Sequence, residues 1–250
     1  MFDFCYNVEE QKQIFKEAKS CVIYDHHEGK KDFMQNYSNC YYDEEHSGAY
    51  LAFRYYFGTE NVPLFIRYIQ DRDLWSWKLK DSRQFSCYLF YEIQFDLDVW
   101  YETFCDDERQ CFISDDNLLY KLSVETGDLY YKIQSKIVSS VVRAASRLTF
   151  CNVPAAIINT KDHISEVAEC ILETKKDVSV AIVWSFDHKK SQYRFSIRSR
   201  KDEVDCSVLA KLYGGDGHKQ AAGFRVTSLS NEIPELLNKF NNFVSVSVKQ

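Results

Sequence analysis

The sequence predicts an α/β protein in two parts, a parallel-sheet domain over residues 1–115 and a smaller mixed α/β domain over 147–250, joined by a long helix at 116–146. Three observations predict it. The chain opens strand, helix, strand, a β-α-β order that calls for a parallel sheet. Helical spacing runs through "YYKIQSKIVSSVVRAASRL" with no break. After it the order becomes strand, helix, hairpin, helix, strand, which makes a compact module of its own.

The elements follow in order. "FDFCY" (2–6) reads as a strand, and "EEQKQIFKEAK" carries helical apolar spacing at Ile14, Phe15 and Ala18. The apolar run Cys21-Val22-Ile23-Tyr24 reads as a short buried strand ending at Asp25, with Gly29 and its charged neighbours in a loop. "HSGAYLAFRYYFG" (46–58) reads as a helix stopped by Gly58, and "VPLFIRYIQDRDLWSW" as a second with Pro63 near its first turn. The aromatic-rich stretch 83–115 reads as helical. In the second part "LTFCNVPAAIINT" (148–160) holds two strand-like runs and "ISEVAECILET" a helix. "VSVAIVWSF" and "YRFSIRS" are strands around the turn "DHKKSQ"; "VDCSVLAKLYGG" is a helix with a glycine stop, and "AAGFRV" a last strand. No internal repeat is visible.

Composition sets the class. Hydrophobic residues make up 45% and charged residues 27%, ordinary for a soluble globular chain, while 3 Pro and 8 Gly argue against disorder. A net charge of −6 argues against non-specific capture of long duplex DNA and leaves room for a small anion held by a local basic or metal site. Nine cysteines, an odd number with no C-x-x-C pair, suggest reduced thiols in a cytoplasmic setting. With no leader-like apolar segment after Met1 and no long apolar span, neither a secretory signal nor a membrane span is expected.

Two constellations carry chemistry. In "CVIYDHHEGK", Asp25, His26 and His27 sit where a strand delivers its side chains to a sheet edge, the place where open α/β sheets bind ligands. Histidines after a strand are often merely solvated; the chemical alternative is a neutral imidazole ligating a divalent metal, its tautomer set by a neighbouring carboxylate. Such a site needs more acids. Asp3 could reach the same sheet end from the neighbouring strand, or could simply cap the following helix. Asp71 and Asp73 of "YIQDRDLW" end a helix, where acids oppose the macrodipole unless Arg72 or a metal compensates. Asp71, which follows the apolar face Phe65-Ile66-Ile69, is the preferred ligand.

The second constellation is "GGDGHKQAAGFRV" (214–226). Gly214, Gly215 and Gly217 can let backbone amides approach an anion as a nest, with His218 adding a donor or a stacking surface. Ala221, Ala222 and Gly223 permit close packing of that backbone. A plain helix stop would explain Gly214 and leave the rest unexplained. Arg198 and Ser199 in the preceding strand are placed as further oxyanion donors.

Together these residues resemble the DHH phosphoesterase superfamily, whose members pair an N-terminal DHH domain with a C-terminal DHH-associated domain. The glycine motif also occurs in alanyl-tRNA synthetase relatives; the pair in this order is the stronger sign. The resemblance implies a Rossmann-like DHH domain binding Mn²⁺ (or Mg²⁺) and a small domain gripping a nucleotide. It implies Asp3, His26 and Asp71 as metal ligands, with Asp3 bridging. Asp25 and His27 are the implied catalytic pair, orienting His26 and contacting phosphate. Arg198, Ser199, Gly214, Gly215, Gly217, His218, Ala221 and Gly223 are the implied substrate contacts. Ser47 and Gly48 match the small-residue start of the helix after the DHH loop, and "DRDLW" is most similar to the oligoribonuclease (nanoRNase) branch.

The implied activity is hydrolysis of short oligonucleotides, or of linear or cyclic dinucleotides, by metal-activated water in 3′-5′ exonuclease fashion. The partner is then a short single-stranded RNA or DNA or a dinucleotide; no membrane is expected, and a homodimer stays open. One departure matters: the family's first motif, a strand ending in Asp-x-Asp, should precede "FDFCY", where this sequence begins. Either that strand is encoded upstream, or this is a degenerate member, a nucleotide-binding protein that has lost its second metal. A partner-binding protein on an inherited scaffold is the third reading. "GGDGH" departs more mildly, placing Asp216 near the presumed phosphate.

Overall fold

The structure, a computed structural model, describes residues 1–58, 60–93, 97–106, 111–112 and 121–227. The sequence expectations that fall on 94–96, 107–110, 113–120 and 228–250, parts of the aromatic stretch, the connector and the end of the second domain, lie outside the described residues. The chain divides into two compact units, Met1–Gln134 and Ser135–Gln250. The division falls inside one helix, Asp128–Arg143, within the stretch expected to connect the domains.

In the first unit the strand Ile23–Asp25 (β1) pairs in parallel with Cys40–Tyr42 (β2). On the other side of β1, Phe2 makes a parallel bridge to Tyr24, with Asp3 N donating to Tyr24 O at 2.9 Å. The strand expected over 2–6 is thus reduced to a single bridge. Its cause is Asp3, whose φ of 59° turns the chain out of extended geometry; Asp is among the few residues that tolerate this region. Helix α1 (Val8–Glu17) starts at Asn7, whose side chain accepts from Glu10 N at 3.0 Å. After the short α2 (Lys31–Met34) come α3 (Gly48–Phe57), capped by Ser47 and stopped at Gly58, and α4 (Leu64–Asp73), which follows Pro63. Then α5 (Ser82–Tyr88) runs into a π-helical turn, and α6 (Leu97–Phe104) ends in a two-residue strand, Cys105–Asp106 (β3), paired with Cys111–Phe112 (β4).

Phe53, Phe65, Ile66, Phe85 and Phe104 form the helical core of this unit. A smaller one of Cys5, Ile23 and Met34 lies under the strands.

Helix α7 (Asp128–Arg143) buries Val138 and Val142, one turn apart, in the second unit. That unit is a six-stranded sheet in the order β5-β6-β7-β8-β10-β9. Its strands are Ser146–Phe150 (β5), Val153–Asn159 (β6), Val180–Asp187 (β7), Gln192–Ser199 (β8), Asp216–Gly217 (β9) and Ala221–Val226 (β10). Only β6 and β7 run parallel, across the crossover helix α8 (Ile164–Thr174); the other pairs are antiparallel. One sheet face packs under α9 (Cys206–Lys211) through Phe195, Ile197, Phe224 and Leu209. The other packs under α8 and α7 through Ala156, Ala181, Val183 and Ile171.

Candidate metal centre and the glycine hairpin

Strand β1 delivers Asp25 to the carboxyl end of the small parallel sheet, almost wholly buried. Its Oδ1 accepts from His26 N at 2.8 Å, from His27 N at 3.1 Å and from His27 Nδ1 at 2.6 Å. A carboxylate cannot donate, so His27 holds its proton on Nδ1. Burial alone would push the Asp25 carboxyl up, but the hydrogen bonds from His27 and the His26 amide prevail and hold it below the usual carboxylate range. Asp25 therefore shapes the loop that aims both imidazoles. Among the described residues its second oxygen, Oδ2, is buried without a hydrogen-bond partner.

His26 points its Nε2 at two acids, 3.0 Å from Asp3 Oδ1 and 3.6 Å from Asp73 Oδ2. Its hydrogen bond to Asp3 pushes the imidazole pKa up despite burial, and Asp73 adds to the rise. The bond to Asp25 raises His27 likewise. Partial burial pushes Asp73 up, with Asp3 adding to it and His26 opposing. Ligand atoms of Asp3, His26 and His27 lie within 4.8 Å of one another. Asp3 with the two imidazoles, and Asp73 on the other side of His26, form an oxygen and nitrogen donor set that suits a Mn²⁺ or Mg²⁺ ion, which would replace the proton between His26 and its acids.

Asp71, the acid preferred from the sequence, serves elsewhere. Its Oδ1 accepts from Ser76 Oγ and Lys78 N, both at 2.8 Å, and its Oδ2 from Leu79 N at 3.1 Å. Asp71 thus staples the turn after α4, in which Trp75 and Trp77 both take positive φ. Burial would raise its pKa, but the Ser82 hydroxyl together with the Lys78, Ser76 and Leu79 donors outweighs it and holds the carboxyl low. Asp73 sits about 200° further around the helix and faces His26 instead. The apolar face that recommended Asp71 is the face that turns inward, and the acid facing His26 stands on the other.

Gly48 completes the geometry. A Cβ there would lie 2.1 Å from Asp3 Cβ, so the first residue of α3 must be glycine for Asp3 to stand where it does. Ser47, fully buried, caps α3 through its Oγ, and its own amide donates to Gln70 Oε1 at 3.1 Å, tying α3 to α4.

The glycine segment of the second unit is not an amide nest. Gly214 N donates to Lys211 O, Gly215 N to Ala210 O, Gly217 N to Asp216 Oδ1 and His218 N to Ala221 O, all within 3.1 Å. The carbonyls left over at the end of the short α9 take the first two, and the β9–β10 hairpin takes the last. The glycines answer to packing: a Cβ on Gly215 would meet Gly223 O at 2.2 Å, and one on Gly217 would meet Ala221 O at 2.5 Å. Gly223 in turn lies under Phe195 O, and Ala221 stands opposite Arg198 in the ladder.

Ser199, expected to hold an oxyanion, donates to Val204 O at 2.5 Å and is buried. Arg198 reaches Ser165 Oγ at 3.2 Å, at the start of α8, and burial lowers its pKa.

Residues 148–246 match the DHHA1 domain family. That domain follows an Asp-His-His triplet set at the carboxyl end of a parallel strand. The match spans less than half of the chain and lies within the second unit. The chain is similar to Uncharacterized protein R106 of Acanthamoeba polyphaga mimivirus, 26% identical over 240 residues; the match covers 94% of this chain and 54% of that protein, so the chain spans about half the length of this relative. Among solved structures, an exopolyphosphatase-related protein from Bacteroides fragilis is 15% identical with a TM-score of 0.47, covering 98% of this chain and 71% of the other. The pGpG-specific phosphodiesterase PggH from Vibrio cholerae is 13% identical with a TM-score of 0.38, covering 90% and 78%. At such low identities and TM-scores these two carry no information about chemistry. Among the described residues no helix is long and apolar enough to cross a membrane.

Proposed function

We propose that this chain is a member of the DHH phosphoesterase superfamily and a divalent-cation-dependent phosphodiesterase acting on short oligonucleotides or dinucleotides. The observation that carries the reading is the meeting of Asp3, His26 and His27 at one strand end, with Asp73 against His26. Asp3, His26 and Asp73 would hold the cation, Mn²⁺ or Mg²⁺, which when bound would acidify a water and stabilise charge on phosphate oxygens. Asp25 fixes the His26–His27 loop and keeps the proton of His27 on Nδ1. Nε2 would then be the ring atom that meets substrate and accepts or returns a proton at a phosphate oxygen. Cleavage polarity, 3′-5′ by family resemblance, and a cytoplasmic setting complete the reading.

The assay is release of mononucleotide from pApA with Mn²⁺. Turnover is expected for the native chain and a loss of at least about 100-fold in His26→Ala and Asp73→Asn. The cluster supplies the donors of one cation, which favours a second reading, a protein that binds nucleotides without cleaving them. Binding of pApA without turnover at saturating Mn²⁺ would establish that reading and end the first.

A further inference from the structure

Strands β8 and β10 set two arginines directly opposite each other: Arg225 is the ladder partner of Arg194. Like charges directly opposite on adjacent strands are destabilising. Here, among the described residues, neither guanidinium has a hydrogen bond or ion pair, and both side chains are exposed. The next pair along the same face is Ser196 opposite Gly223, both small. Gly223 could not be larger, because its Cβ would come within 2.9 Å of Phe195 O. The result is a cavity of about 370 Å³ floored by Ser196 and Gly223, flanked by Arg194 and Arg225, and bounded across the sheet by Gly215 and Asp216.

The cavity is distinct from the place the sequence pointed to. Arg198 lies four residues further along β8, about 13 Å away, and is held by α8. Asp216 Oδ1 accepts from the Gly217 amide, so this carboxylate is fixed to its own hairpin rather than to the arginines.

We propose that Arg194 and Arg225 clamp a terminal phosphomonoester, the end group of a short phosphorylated oligonucleotide. The inference rests on the proposed substrate class and adds the group by which that substrate is recognised. A terminal phosphate carries nearly two charges and three acceptor oxygens, which two guanidinium forks match; a bridging diester carries one charge and offers less. Asp216 at the far wall repels a long polyanion and accepts from donor groups on the attached nucleoside. The clamp makes the chain a reader of phosphorylated ends and sets a preference for short substrates.

The experiment compares binding of pApA and ApA to the full chain in EDTA, by calorimetry, so that no turnover occurs. The native chain and His26→Ala should both bind pApA at least about tenfold more tightly than ApA. Arg194→Gln and Arg225→Gln, both exposed positions whose folding is checked by thermal melting, should bring the two ligands within about threefold. The double variant Lys189→Ala/Lys190→Ala, which removes two charges in the nearby hairpin turn, should keep the full preference. Equal binding of pApA and ApA to the native chain, no binding of either, or an undiminished preference in both arginine variants would overturn the clamp. A preference that is present without Mn²⁺-dependent turnover would leave the clamp standing while removing the phosphodiesterase.

Discussion

A methyl group at position 48 would overlap Asp3, and that single contact makes a sharp test of the centre. Alanine in place of glycine at an exposed helix position ordinarily gains up to about 1 kcal/mol. Gly48→Ala is expected to lose about 1–3 kcal/mol instead, through overpacking, and to abolish Mn²⁺-dependent turnover by displacing Asp3. Chemical denaturation gives the first result and the pApA assay the second; a stabilised variant would show that Asp3 does not stand against α3. The two acids of α4 separate in the same way. Asp71→Ala removes the acceptor of three donors in a buried turn and should cost about 2–4 kcal/mol. Asp73→Asn, half exposed, should cost less than about 1 kcal/mol while removing the response to Mn²⁺. Urea midpoints with and without Mn²⁺ distinguish them.

At the scale of the element, the short α9 depends on its cap. Asp205 Oδ1 accepts from Ser207 N at 2.9 Å, from Val208 N at 3.3 Å and from Ser207 Oγ at 2.6 Å. Burial would raise this carboxyl, but the hydrogen bonds from Ser207 and Val208 outweigh it and set its pKa below the usual value. A depressed folded-state pKa contributes stability that is complete above the unfolded value near about 4 and is lost as pH falls through the folded one. Asp205→Ala should therefore cost about 1 kcal/mol at pH 7, and its deficit relative to the native chain should shrink toward zero by about pH 2–3, as read from urea midpoints across that range. A constant deficit would mean that the cap acts through packing alone.

Elements were also where sequence periodicity spoke most clearly. The helix and strand runs from Ser146 to Val226 follow the apolar alternation and the turn residues closely, because each strand has one face on each core. "FDFCY" failed as a strand because alternation describes a side-chain pattern and carries no information about the backbone at Asp3.

For the whole molecule, the two units carry separate cores, and the candidate metal centre lies in the first. Mn²⁺ should therefore act on one of them. Hydrogen exchange followed by peptide is expected to slow on Mn²⁺ addition in the segments holding residues 1–6, 21–30 and 46–80, and to stay unchanged in β5 to β8. Protection confined to the glycine hairpin would place the cation elsewhere and remove the centre.

Local order carried the DHH triplet to its strand end and the glycines to their hairpin, since both follow from spacing within a few residues. Nothing in that spacing could say which acid of α4 turns toward His26, that the amides of Gly214 and Gly215 close a helix end, or that Arg194 meets Arg225. Those are matters of helix phase and ladder register, and both are settled by which faces bury apolar area against residues distant in the chain.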